Sequence, residues 1–179
     1  WIKERNDSGS HAAFDIIRGV QKRLKPDNSN AEITQSDTLT SFNSDGFTLG
    51  GNGHTNDGNT FVAWCWNAGS STVTNTDGDI TSQVRANPTA GFSIVSYTGN
   101  GGSNQTIGHG LGVTPQAAIY KNRDSNGANW EAQWNVSVNK TVAFRGSLNL
   151  TEQNQGNSLA NFTSTTFSVA TSSTARNAN

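Results

Sequence analysis

The sequence predicts an all-β fold, an antiparallel β-sandwich built from short strands and glycine-rich turns. Residues 92–97 carry the clearest strand signal, because successive residues alternate between two faces. Turns such as Gly99–Gly102 separate one such run from the next. Hydrophobic residues make up 32% of the chain and charged residues 14%, which is typical of β-proteins whose outward strand residues are Thr, Ser and Asn. These features favour a sandwich of the jelly-roll or concanavalin-like kind.

The chain also contains an internal repeat with an offset of about 120 residues. Three segments match later segments in the same order: Trp1–Arg5 with Ile119–Arg123, Ala31-Glu32 with Thr151-Glu152, and Phe42–Phe47 with Phe162–Phe167. Each copy of the first motif is followed by a loop of Asp, Ser, Asn and Gly. Two copies of one unit are expected to fold alike.

The boundaries of the repeat units do not coincide with the first and last residues of the sequence. The counterpart of residues 61–66 would fall just past residue 179. We therefore assign residues 1–86 to the back half of a first unit plus a linking hairpin, and residues 87–179 to the front and middle of a second. The sequence thus contains about one and a half units. Either the two parts complement each other as one continuous folded body, or a longer parent polypeptide supplies the missing strands. The initial Trp and the lack of Met favour a piece of a longer polypeptide.

The repeat decides whether residues 11–25 are predicted to form a helix or strands. Apolar residues there make a helical stripe, although Gly19 interrupts it. The matching residues 130–144 alternate as a strand does, so we predict strands at 11–17 and 20–25. Four side chains form the only basic concentration of the sequence, which we interpret as a solvated face: Arg18, Lys22, Arg23 and Lys25.

Turn chemistry predicts two hairpins in the following part of the chain. The first pairs residues 38–43 with 46–50 around an Asp-Gly turn, and the second pairs 71–74 with 80–84 around a glycine-containing loop. The stretch 91–124 then predicts three further strands in a row, separated by glycine and proline.

Residues 60–66, between the two hairpins, are apolar on both faces of a strand. This pattern predicts a central strand that is buried on both sides. On this interpretation Trp64 and Trp66 belong to the core, and Cys65 is a buried, inert thiol. As the single cysteine, it forms no disulfide within the chain.

Charge and hydropathy argue against two classes of partner. The formal net charge is −1, so no overall basic field attracts nucleic acid. No run approaches the ~20 apolar residues of a membrane-spanning helix. We expect no nucleic-acid binding and no membrane insertion.

The sequence gives no pattern typical of an active site. His11, His54 and His109 are far apart and lack the spacing of metal ligands. Asp77 and Asp79 lie in a turn that resembles part of a calcium loop, but the closing acidic ligand is missing. No strand carries the paired carboxylates that glycoside hydrolysis needs, and no nucleophile elbow or phosphate-binding loop occurs. We therefore expect no enzyme activity, no metal and no cofactor.

Glycan binding is the remaining site hypothesis. Trp130 and Trp134 are flanked by amide side chains, among them Asn129. An indole face stacks on the apolar side of a sugar ring while amides bond its hydroxyl groups. The alternative, which we favour, is that both tryptophans fill the core of the sandwich.

Several motifs resemble a repeated domain of tailed phages, especially marine ones: Trp1-Ile-Lys-Glu-Arg5, Leu39–Gly50, Phe61–Gly69, Gly91–Gly101, His109–Pro115 and Lys121-Asn-Arg123. The match is looser beyond residue 124, where Thr165-Thr166 stand in place of an Asp-Gly pair. That domain occurs in large virion proteins, often beside concanavalin-like modules of the SPRY or laminin-G type. The resemblance implies a β-sandwich virion component, a tail fibre or receptor-contacting protein, and it brings no catalytic residues.

The expected function is thus a non-enzymatic structural component of a phage virion. The expected partners are further copies of the chain, as a trimer if the protein is fibrous, or other virion proteins, together with a host surface glycan. The alternative is a glycan-binding, lectin-like module of a bacterial surface adhesin. A polysaccharide-degrading enzyme is the least favoured alternative.

Overall fold

A computed structural model describes residues 1–134, 144–150 and 161–169 of the chain. All regular elements in these ranges are strands: β1 Ile2–Glu4, β2 Ala13–Asp15, β3 Gly19–Leu24, β4 Ile33–Thr34, β5 Leu39–Phe42, β6 Phe47–Leu49, β7 Phe61–Ala63, β8 Val73–Asn75, β9 Ser82–Asn87, β10 Phe92–Tyr97, β11 Gln105–Gly108, β12 Ala117–Tyr120, β13 Glu131–Trp134, β14 Phe144–Ser147 and β15 Thr166–Val169. The all-β prediction is confirmed, and no helix occurs in the described ranges.

Every ladder between these strands is antiparallel. The strands form six small sheets: β1-β7, β2-β3-β4, β5-β6, β8-β9-β10, β11-β15 and β12-β13-β14. Both predicted hairpins are confirmed, as β5-β6 and β8-β9. The three strands predicted within residues 91–124 are present as β10, β11 and β12, and each belongs to a different sheet.

Residues 11–25 form the β2-β3 hairpin, so the strand interpretation is confirmed over the helical one. Asp15 closes the turn because its Oδ1 atom accepts hydrogen bonds from the backbone N–H groups of Ile17 and Arg18 at 3.0 and 2.9 Å. Gly19 follows with a φ of 90°, a left-handed conformation that glycine adopts without steric cost.

Strand pairing recurs in both copies of the repeat. The bridge Ile2↔Ala12 has its counterpart in the pair Tyr120↔Glu131. The pair Phe42↔Phe47 recurs as the bridge Phe162↔Phe167, with the same offset on both strands. Equivalent residues of the two copies therefore make equivalent backbone pairs.

A side-chain contact to the backbone recurs as well. The N–H of His11 donates to Asp27 Oδ1 at 2.9 Å, and the N–H of Trp130 donates to Asn149 Oδ1 at 2.9 Å. Asp27 follows β3 and binds the backbone just before β2. In the same way, Asn149 follows β14 and binds the backbone just before β13. The repeat is thus visible in loop contacts and not only in the strands.

The chain divides into two compact units. The first comprises residues 1–65 and 123–127, and the second residues 66–122 and 128–179. In the second unit a buried cluster joins strands of different sheets: Ile80, Ile107, Tyr120, Phe167 and Val169. The division into residues 1–86 and 87–179 is based on sequence similarity between the repeats, not on contacts. It stays a prediction.

The prediction of a central, doubly buried strand at residues 60–66 is wrong. The strand β7 is three residues long and pairs with β1, which makes a two-stranded sheet. Beyond its end, Trp64 is 47% and Trp66 is 55% exposed, and the Cys65 thiol is free and exposed. An apolar run on both faces shows that a strand is suited to burial, but burial itself depends on neighbours that the local sequence does not specify.

Candidate functional site

The predicted sugar platform does not form a single exposed face. Trp130 is 9% exposed, while Trp134, at the far end of β13, is 37% exposed. The Asn129 side-chain oxygen accepts a hydrogen bond from Asn149 Nδ2 at 2.9 Å. Because a buried indole offers no face to a sugar, any glycan contact in this segment rests on Trp134. The glycan role of Trp130, Trp134 and Asn129 stays a prediction.

The second unit exposes another tryptophan more fully. Trp66 stacks on Phe92, with ring centroids 6.0 Å apart and an interplanar angle of 18°. Phe92 is the first residue of β10 and pairs with Asn87 of β9, so the base of the stack is fixed by a ladder. One indole face is thus held by an aromatic ring, while the residue stays 55% exposed. The sequence analysis missed this arrangement because it assigned Trp66 to the core.

Residues 66–69 are held to the sheet by hydrogen bonds. Asn67 Oδ1 accepts from the N–H of Gly69 at 2.8 Å, and the Asn67 carbonyl accepts from Asn87 Nδ2 at 3.3 Å. Arg85 Nε donates to the Gly69 carbonyl at 2.9 Å. The exposed indole therefore sits on an ordered segment that also carries amide groups.

The first unit has an aromatic contact of its own. Trp1 packs edge-on against Trp64, with ring centroids 6.2 Å apart and an interplanar angle of 72°. Trp1 Nε1 donates to His11 Nδ1 at 2.9 Å. Burial lowers the pKa of His11, which favours the neutral imidazole that this acceptor role requires.

A partly buried ion cluster lies in the same unit. Arg18 contacts Asp15 and donates through Nη1 to Glu32 Oε2 at 2.9 Å, and Arg123 Nη2 donates to Glu32 Oε1 at 2.8 Å. Burial acts to raise the pKa of Glu32, but the hydrogen bonds from Arg123 and Arg18 outweigh it and hold the pKa below its usual value. The interpretation of the basic concentration as a solvated face is wrong for Arg18 and for Arg23, since Arg23 is 0% exposed.

Two carboxyl groups of the first unit share a donor. Asn59 Nδ2 donates to Glu4 Oε1 at 2.6 Å and to Asp57 Oδ2 at 3.0 Å. Burial, with the charges of Asp57 and Asp7, raises the pKa of Glu4. Two neighbouring carboxyl groups suit acid–base chemistry when both face an open cleft, whereas Glu4 is only 4% exposed. The pair is a structural contact.

The Glu4→Gln substitution is expected to raise the melting temperature at pH 7. The pKa of Glu4 is higher in the folded state than its ordinary value of 4.5, so the folded state binds this proton more tightly and the charged form destabilises it. The gain should vanish below pH 4.5, where the wild-type carboxyl is itself protonated. Thermal unfolding of both variants at several pH values measures this, and a melting temperature lowered at pH 7 contradicts it.

Two further titratable candidates, His109 and Asp79, accept hydrogen bonds in the structure. His109 is 2% exposed; its Nδ1 accepts from the N–H of Leu111 at 3.2 Å, and burial lowers its pKa. Asp79 Oδ2 accepts from Thr106 Oγ1 at 2.7 Å and from the Thr106 N–H at 3.0 Å, and these bonds lower its pKa. The turn that resembles a calcium loop is therefore hydrogen-bonded to β11 through Asp79.

The described residues contain no group of three or more side chains suited to hold a metal ion. They also contain no helix with the length and apolar character needed to cross a membrane.

Comparison with known proteins identifies a family. A family model described as a domain of unknown function, DUF7483, matches residues 1–179. Neither the comparison with curated proteins nor that with solved structures finds a match. Because the family match spans the whole sequence, it includes both compact units and both copies of the repeat.

Proposed function

The chain belongs to the DUF7483 family, and we propose that it is a non-enzymatic structural component of a phage virion, part of a tail fibre or a receptor-contacting appendage. The observation that carries the proposal is the recurrence of the same backbone pairs in both copies of the repeat, Ile2↔Ala12 with Tyr120↔Glu131 and Phe42↔Phe47 with Phe162↔Phe167. Repetition of one β-module is a common way to build extended assemblies. The motif resemblance to tailed-phage proteins points the same way.

Several titratable side chains of the described residues bind other groups of the protein, which supports a structural role. Glu32 binds two arginines, Glu4 is buried against Asn59, and His109 accepts a backbone N–H. An active site needs such groups to face a cleft that substrate enters. Here they hold loops and strands in place.

A β-sandwich of the jelly-roll or concanavalin-like kind fits this role. The buried cluster of the second unit takes Ile107 and Phe167 from the β11-β15 sheet and Tyr120 from the β12-β13-β14 sheet. Val95 and Tyr97 of β10 pack against it from a third sheet. Several sheets that contribute to one apolar layer are typical of a sandwich.

Exposed apolar side chains support assembly, as a homo-oligomer or with other virion proteins. Val113 is 58% and Ile119 is 52% exposed, in addition to Trp64 and Trp66. Contact with neighbouring subunits removes such surface from water.

Immunogold electron microscopy tests the virion assignment. Antibodies raised against the folded chain should label one appendage of phage particles grown from a genome that encodes it. Label confined to the host cell surface would support the adhesin alternative, and particles without label, in lysates that contain the free chain, would overturn the proposal.

Glycan binding is the second candidate function, and the exposed stack of Trp66 on Phe92 is the observation that favours it. An indole held flat from one side presents its other face without further loss of side-chain entropy, which suits stacking on a sugar ring. Nearby Asn67 and Asn87 supply amide groups of the kind that bond sugar hydroxyls.

The Trp66→Ala substitution should weaken binding to a host glycan at least about tenfold, the equivalent of about 1.4 kcal/mol. Trp134→Ala is the matched control, since it removes the exposed tryptophan of the platform first predicted from the sequence. A glycan array followed by titration of the bound sugars compares the two variants with the wild type, after circular dichroism has verified their folds. A loss in Trp134→Ala alone would move the site to β13, and equal binding by all three proteins would remove the glycan hypothesis for both tryptophans.

A further inference from the structure

The stack of Trp66 on Phe92 shares one face of the β8-β9-β10 sheet with Arg85. Phe92 pairs with Asn87 in the ladder between β9 and β10, and the pair Ile94↔Arg85 follows two residues further along. Because side chains alternate along a strand and paired residues share a face, these four side chains lie on the same side of the sheet. Along β9, Arg85 is two residues, about 7 Å, from the partner of Phe92.

This face is turned towards solvent. The opposite face packs on the core of the second unit, where Val84 is 1% exposed and Val95 contacts the buried cluster. On the outward face Arg85 and Phe92 are half-buried, and Trp66 is exposed. A ligand therefore reaches the indole and the guanidinium from the same side.

The guanidinium of Arg85 is held at one edge and open at the other. Its Nε donates to the Gly69 carbonyl at 2.9 Å. Among the described residues no ion pair involves Arg85, and no acceptor binds its terminal nitrogens Nη1 and Nη2. The bond to Gly69 restricts the side chain, so these donors are positioned before a ligand arrives.

The neighbouring amides also offer donors. Asn67 is exposed, and its Oδ1 already accepts from the N–H of Gly69 at 2.8 Å, which leaves its Nδ2 donors for a ligand. Asn87 Oδ1 accepts from the N–H of Ala90 at 3.1 Å. Because backbone N–H groups take both amide oxygens, the face suits a ligand that is rich in acceptors.

The charges in the sequence around this face are uneven. Residues 66–76 and 80–120 contain no Asp or Glu, and Arg85 is the single Arg or Lys among them. A half-buried guanidinium without a counter-ion attracts a negative group more strongly than a neutral one. The face is therefore suited to an anionic ligand.

We propose that this face binds an acidic glycan. A sugar ring stacks on Trp66, and a carboxylate of the glycan, such as that of a uronic acid, binds Nη1 and Nη2 of Arg85. The planar guanidinium matches a carboxylate through two parallel N–H···O bonds. Asn67 bonds sugar hydroxyl groups beside it. The inference rests on glycan binding, the second candidate function, and adds the charge and the anionic group of the ligand.

The wild-type chain tests the charge preference without any substitution. The probe is an array that holds uronate-containing oligosaccharides, each beside its carboxyl-reduced, neutral counterpart, and sulfated glycans. Titration calorimetry of the bound sugars should show at least about tenfold tighter binding of the acidic form. The difference should shrink as salt is raised, because salt screens charges near the surface.

The array separates failure of this inference from failure of glycan binding itself. Equal affinity for the acidic and neutral forms would overturn the inference and leave glycan binding in place. A preference for sulfated over carboxylated glycans would overturn the carboxylate as the recognised group. Binding to no sugar at all would remove the glycan function and the inference together.

Arg85→Gln assigns the preference to one side chain. This variant should lose the preference for the acidic form, while the neutral counterpart keeps its wild-type affinity because the Trp66 stack remains. Arg85→Lys keeps the charge without the two-point geometry and should retain part of the preference. Lys22→Gln removes a positive charge from the first unit and should bind as the wild type does.

The bond from Arg85 to Gly69 is also lost in Arg85→Gln, so the variant needs a check of its own. Circular dichroism verifies the fold, and the affinity for the neutral sugar verifies the stack. A preference for the acidic form that survives in the folded Arg85→Gln chain would overturn the role of Arg85.

Discussion

The Arg23→Ala substitution should lower the free energy of unfolding by about 3–5 kcal/mol. Arg23 is 0% exposed and donates through Nη1 to Gln35 Oε1 at 3.0 Å. Its Nη2 atom donates to the carbonyls of Ser10 and His11 at 3.0 and 3.1 Å. Alanine removes the guanidinium donor from these three partly buried acceptors and opens a cavity. Chemical denaturation followed by tryptophan fluorescence measures the loss.

Two further variants separate the causes of this effect. Lys22→Ala, next along β3, should change stability by less than about 0.5 kcal/mol, since the lysine contacts Thr34 at the surface. Arg23→Met keeps much of the volume but removes the donors, so it isolates the hydrogen bonds from the cavity. A loss below about 1 kcal/mol in Arg23→Ala would show that water replaces the guanidinium.

Arg23 also shows a limit of sequence interpretation. Burial lowers the pKa of its guanidinium, and the charge of Asp27 partly offsets this. Arg23 belongs to the group of basic residues that the sequence analysis interpreted as a solvated face. Nothing in a local pattern reveals that Arg23 donates to the carbonyls of Ser10 and His11, more than ten residues away in the chain. Such burial of a charged group depends on tertiary contacts.

Hairpins were predictable because their information is local. The Asp-Gly turn between β5 and β6 specifies both the reversal and the register of Phe42↔Phe47. Asp15 likewise closes the β2-β3 turn within its own segment. Comparison of the two copies then carried the strand pattern of residues 130–144, of which 135–143 lie outside the described residues, over to residues 11–25.

The candidate site was not predictable in the same way. Trp64 and Trp66 have the sequence signature of a core strand, and the structure exposes both. Trp130 and Trp134 have the signature of an amide-flanked platform, and the structure buries the first. Aromatic residues suit a core and a binding surface equally well, because both remove apolar area from water. Only the position of the neighbouring strands distinguishes the two.

The Gly69→Ala substitution should destabilise the second unit by about 2–4 kcal/mol, for two reasons that act together. Gly69 has a φ of 89°, a conformation in which a Cβ atom is strained. That atom would also stand 2.4 Å from the Ala86 carbonyl oxygen, and a backbone atom in β9 cannot move aside without breaking its ladder. The strain should spread to Trp66, because the hydrogen bonds of Asn67 and Arg85 hold residues 66–69 as one piece.

Two other glycines divide the effect of Gly69→Ala into its parts. Gly112 has a φ of 72° but nothing within 4 Å of an added Cβ, so Gly112→Ala reports the backbone strain alone, about 1 kcal/mol. Gly46 has neither the strain nor a close neighbour, and Gly46→Ala should be near neutral. Thermal unfolding of the three variants gives the order, and near-UV circular dichroism reports the packing of Trp66 on Phe92. If Gly69→Ala loses no more stability than Gly112→Ala, the contact with Ala86 relaxes, and the segment that carries the exposed indole is not the rigid support that sugar stacking requires.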